Sequence, residues 1–127
     1  MRYLALDVGD RRIGVAVGEE TFGMARPLRT ILRRSVAADL EALREIVGKE
    51  DIGALVIGLP LLERGASGRQ AERARAFAAA CGALGLPVEL VDERFTTAEA
   101  EHRGVSDLDA GAAAILLEDF FSERRRR

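Results

Sequence analysis

The chain has 127 residues, 48% of them hydrophobic and 31% charged, with a formal net charge of −2. That is enough for one domain with its own core and too near neutral for a simple basic clamp on nucleic acid. A lone cysteine, Cys81, and a lone histidine, His102, exclude an internal disulfide and a Cys/His zinc cluster and point to a reduced, cytoplasmic setting. No apolar run approaches the roughly 18 residues of a membrane span, and no signal-peptide pattern precedes the first strand, so no membrane partner is expected.

The opening stretch RYLALDVGDRRIGVAVG, Arg2 to Gly18, reads as two strands, Tyr3–Val8 and Ile13–Val17, joined by a Gly9-Asp10 turn. A third strand is expected over Ala25–Leu32, with Pro27 placing it at a sheet edge. Ser35 caps a predicted helix to Lys49 with the stripe Val36, Leu40, Leu43 and Val47. The continuous run ALVIGL, Ala54–Leu59, has the character of a strand covered on both faces.

Residues Pro60–Gly68 carry two glycines and no periodicity, which predicts a loop. Ser67 with Gln70 forms a capping-box pattern before a helix whose buried face is Ala71, Ala74, Phe77, Ala78 and Cys81, stopped by Gly85 and Pro87. Val88–Asp92 is the fifth strand. Thr96 with Glu99 starts a short helix to about Arg103, and a last helix is expected from Ser106 or Asp107 to Ser122. The domain is expected to span residues 1–123, leaving Arg124–Arg127 as a basic tail. Three strands followed by helix-linked strands give an α/β protein with a mixed five-stranded sheet flanked by helices.

Charge is unevenly spread. Residues 1–34 hold seven arginines against four acids, and residues 89–123 hold ten acids against two arginines. Three acidic positions stand out, the third shared by two neighbouring residues. Asp7 ends an otherwise apolar strand, where a carboxylate is costly unless it is paired or bound to a cation. Asp109 lies in the apolar stripe Ala112, Ala113, Leu116 and Phe120 of the last helix, where it either complements the helix dipole or meets a cation. Asp92 and Glu93 point to opposite faces of the fifth strand, and alternation alone does not choose between them.

These features together resemble the ribonuclease H-like fold, and within it the YqgF/RuvX family of pre-16S ribosomal RNA nucleases, also described as Holliday-junction resolvase-like proteins. The resemblance covers nearly the whole chain and rests on four blocks in order: LALDVGDRRIGVAV (Leu4–Val17), VIGLP (Val56–Pro60), VDERFTTAEA (Val91–Ala100) and DAGAAAILLEDF (Asp109–Phe120). It implies that Asp7, Glu93 and Asp109 are the catalytic, metal-binding set. The chain departs from the pattern at Asp10, where a small hydroxyl residue is common, in a loop after Pro60 without the usual Asn, and at Glu118 in place of a frequent Gln. Those departures bear on substrate handling.

An all-oxygen carboxylate site suits magnesium or manganese, and two such ions about 4 Å apart can activate water and stabilise a leaving oxygen at a phosphodiester. The metals also reverse the sign of a cluster that would otherwise repel nucleic acid. Backbone contacts are expected from Arg11, Arg12, Arg64, Arg69 and Arg94. With no Trp and no ladder of exposed aromatics, recognition by shape and phosphate geometry is expected.

The resemblance implies metal-dependent processing of the 5′ end of pre-16S rRNA as the expected function, since the residues alone do not decide between RNA and branched DNA. The alternatives are cutting of branched DNA, for which a homodimer would supply two sites, and binding without turnover. Asp7-x-Gly9 followed by Gly14 also resembles the first phosphate loop of sugar-kinase and actin-type ATPases, which require a second lobe.

Overall fold

The computed structural model describes residues 1–59, 68–92 and 108–126. Strand β1 (Arg2–Val8) lies at the centre of a five-stranded sheet of order β3-β2-β1-β4-β5. Strands β2 (Arg12–Glu19) and β3 (Met24–Leu32) extend it as an antiparallel meander, while β4 (Ala54–Leu59) and β5 (Val88–Asp92) add parallel strands on the other side. The expected mixed sheet is present, with Pro27 on the β3 edge.

Helix α1 (Val36–Lys49) starts at Ser35, whose hydroxyl accepts from the Ala38 N–H at 3.0 Å. Its buried face is Asp39, Leu43 and Ile46, with Leu40 and Val47 partly covered. Val36, expected in that stripe, is 47% exposed at the first position of the helix. Helix α2 (Gly68–Ala80) continues into a 3₁₀ turn over Cys81–Leu84. Helix α3 (Leu108–Arg125) is longer than the sequence suggests: Arg124 and Arg125 form its last turn. Arg124 Nε meets Glu20 at 3.0 Å, and its guanidinium lies over the Phe120 ring at 5.3 Å. The Arg125 guanidinium sits against Gly23, in the β2–β3 turn. The expected Thr96–Arg103 helix and the Ser67 cap lie outside the described residues.

The sheet separates two cores. Leu4, Leu6, Val8, Ile13, Val15 and Val17 face α1 and α2, and the residues between them, Tyr3, Ala5 and Ala16, face α3. Strands β1, β3, β4 and β5 share one direction, so their carboxyl ends form one edge. The N-termini of α1, which follows β3, and of α3, whose first turn meets β2 at Gly14, lie at that edge. Helix N-termini present partial positive charge, which makes the edge favourable for anions. The Arg124–Glu20 pair lies at the opposite end of α3.

Candidate metal centre at the carboxyl edge of the sheet

Asp7 alternates with Tyr3 and Ala5 along β1, so its side chain is on the α3 face. In register beside it stand Gly14 on β2 and Gly58 on β4. Both have the parity of that face, since Ala16 and Val56 pack under α3. Asp7 is thus flanked by two positions without side chains. Gly14 serves a further purpose: a Cβ there would collide with the backbone carbonyl of Asp109. Only glycine lets the first turn of α3 rest directly on β2, and this contact carries Asp109 to the strand position opposite Asp7.

Asp109 is the second residue of α3, where a carboxylate complements the helix dipole. Its side chain is 40% exposed, and the Arg12 guanidinium approaches Oδ2 at 3.8 Å from the hairpin. Such an exposed pair contributes about 0–1 kcal/mol, so a harder cation can replace it. The eight residues that follow, 110–117, are all buried, which fixes the axis of the helix and with it the position of Asp109. Dipole complementarity and proximity to Asp7 therefore occur together at this residue.

Of the three acids singled out in the sequence, the structure brings Asp7 and Asp109 to one seam, and Glu93 lies outside the described residues. Among the described residues no three potential ligands form a group able to hold a metal. The two that are placed offer hard oxygen donors, a chemistry that fits magnesium or manganese and not zinc. Arg11 and Arg12 are exposed in and just after the hairpin turn, and Arg69 is exposed in the first turn of α2. Arg64 and Arg94 lie outside the described residues.

Sequence reasoning missed a second set of charged residues on the other side of the turn. Asp39 is 2% exposed, accepts from the Arg34 N–H at 3.1 Å and lies 3.5 Å from Arg33 Nε. Its signal was its spacing, since it stands four residues before Leu43 and seven before Ile46, on the buried face. Asp10, one of the departures from the family pattern, pairs with Arg73 of α2 at 3.1 Å.

A family model described as RuvX, Holliday junction resolvase, matches residues 1–123. The chain belongs to the RuvX family. Among curated members, a protein provisionally named pre-16S rRNA nuclease from Anaeromyxobacter sp. (strain Fw109-5) is 42% identical, with 98% of each chain covered. A Thermus thermophilus protein of the same name is 41% identical over 96% of this chain and 98% of its own. Among solved structures, T. thermophilus RuvC in complex with a Holliday junction superposes with a TM-score of 0.61 at 17% identity, covering 98% of this chain and 96% of that one. The fowlpox virus resolvase bound to junction DNA gives 0.56 at 8% identity over the whole of both chains. At such identities the RuvX-family chain shares the ribonuclease H-like fold with these resolvases, and the substrate question passes to its own residues.

Proposed function

We propose that this RuvX-family protein is a metal-dependent nuclease that hydrolyses phosphodiester bonds in structured RNA, its substrate being the 5′ end of pre-16S rRNA. The observation that supports this most is the seam at Gly14, where a bare backbone contact draws Asp109 to the strand position beside Asp7. The full-length relatives named for pre-16S rRNA favour the RNA substrate.

Asp7 and Asp109 would hold Mg²⁺ or Mn²⁺. Val91 packs on the α3 side, and the next residue of its parity in the chain is Glu93, which favours Glu93 over Asp92 as third ligand. Two such ions, when bound, supply a nucleophilic water and stabilise the leaving oxygen. The chain's own residues then have simple tasks. Asp7 and Asp109 give the site its negative charge, Gly14 lets the first turn of α3 carry Asp109 to the strand position beside Asp7, and the exposed Arg11, Arg12 and Arg69 attract and orient the backbone, a task also proposed for Arg64 and Arg94.

The test is cleavage of a labelled pre-16S rRNA fragment and a four-way DNA junction with Mg²⁺ or Mn²⁺, comparing the wild type with Asp7→Asn and Asp109→Asn. The proposal expects RNA cleavage that needs the metal and falls by at least about 10³-fold in either variant, with unchanged thermal unfolding. Preferential cutting of the junction, together with a twofold dimer in sedimentation, would favour the resolvase reading instead. Binding of both probes without turnover would make the protein a non-catalytic member of its fold.

A further inference from the structure

The β1–β2 turn is held from the side opposite Asp109 by arginines that the metal site does not use. Arg33 Nη1 donates to the Gly9 carbonyl at 3.0 Å, and its guanidinium lies 4.8 Å over the Phe77 ring. Arg73 reaches Asp10 from α2, and the exposed Arg34 follows Arg33 just before the α1 N-cap. Asp10, Arg33, Arg34, Ser35, Asp39 and Arg73 line most of a cleft of about 370 Å³.

The charges in this cleft are not equivalent. Asp39 is buried and engaged with Arg33 and the Arg34 N–H, so its charge is answered within the fold. Among the described residues lining the cleft, that leaves Arg34 and Arg73 at the surface against Asp10. The Arg73–Asp10 pair is about half exposed on both sides, an interaction of about 0–1 kcal/mol that an incoming anion can displace. The α1 N-terminus adds partial positive charge in the same direction.

Resting on the nuclease reading, we infer that this cleft binds a backbone phosphate of the substrate nucleic acid, so that the strand crosses the β1–β2 turn and is held on both faces of the sheet. Arg34 and Arg73 contact the phosphate, and Arg33 is a positioning residue that ties the turn to α2. Among the described residues of the lining Val36 is the single apolar one, and Arg33 covers the Phe77 ring face, so the cleft offers a base no open aromatic ring. It recognises charge and spacing, consistent with a protein that reads backbone geometry.

The experiment uses the full chain carrying Asp7→Asn, so that binding is read without cutting. Affinity for a labelled duplex RNA and for a four-way DNA junction is measured between about 50 and 200 mM salt. Adding Arg34→Gln and Arg73→Gln, both at exposed positions, is expected to weaken binding about tenfold at the low-salt end and to lower the slope of log affinity against log salt by about one to two. Arg44→Gln, on the outer side of α1 in a 3.9 Å pair with Glu41, serves as a control expected to leave the slope unchanged. An unchanged slope in the double variant, with tight binding by its parent, overturns the inference and leaves the nuclease reading standing. Failure of the parent to bind either probe overturns both. Binding of inorganic phosphate to the parent that is lost in the double variant, with no change in nucleic-acid affinity or salt slope, would assign the cleft to a free anion and also overturn it.

Discussion

Replacing Gly14 by alanine tests how the site is assembled, because it alters no charged group and no ligand. The added methyl would meet the carbonyl oxygen and carbon of Asp109 and come within 3.0 Å of the Ala110 nitrogen. All three are backbone atoms, and none can swing aside as a side-chain end would. To restore ordinary contact of about 3.5 Å, the first turn of α3 has to withdraw by about 1 Å or more. Overpacking of this kind costs about 1–3 kcal/mol, which for a chain of this size lowers Tm by roughly 3–5 °C per kcal/mol. A displacement of about 1 Å between catalytic groups costs on the order of 10²-fold in rate. The assay is differential scanning calorimetry beside metal-dependent cleavage of the labelled RNA. Gly14→Ala is expected to lower both, and Asp109→Asn to lower cleavage alone. A Gly14→Ala protein with unchanged Tm and full cleavage would refute the argument that this glycine sets the spacing of Asp7 and Asp109.

Asp39→Ala removes a buried carboxylate from Arg33 and the Arg34 N–H; breaking a buried pair costs about 3–5 kcal/mol, and the partly exposed Arg33 places this case near the lower end. Urea unfolding measures it, and a loss under about 1 kcal/mol would show that Asp39 behaves as a surface charge. Burial pushes the Cys81 thiol up to about 11 from its ordinary 9.0, with Arg33 opposing weakly. The unfolded chain therefore loses this proton first as pH rises, and stability falls by about 2–3 kcal/mol between pH 9 and 11 on this account. Chemical unfolding of wild type and Cys81→Ala across that range isolates the contribution, and parallel curves would contradict it.

The positions of the five strands and of the described helices were legible because the apolar runs are long and their periods distinct. ALVIGL has the character of a strand covered on both faces, and β4 is buried throughout. Asp7 was legible for the same reason, as a charge closing a run that is otherwise core. The α3 face was harder to read. Gly14 and Gly58 look like ordinary strand glycines until the register sets them on either side of Asp7, and register is a long-range property. Asp39 was passed over because a carboxylate near a helix start is usually solvated. The arginines that end the chain looked like a tail because a run of like charges usually stays in solvent, yet the helix continues through Arg125 and docks on the β2–β3 turn.

The most direct test of the account is a crystal structure of the protein soaked in manganese, read by anomalous scattering. It predicts a manganese peak within coordinating distance of both the Asp7 and Asp109 carboxylates, at roughly 2.0–2.4 Å as for hard cations on oxygen. Manganese bound elsewhere, or the two carboxylates turned away from a shared ion, would contradict it.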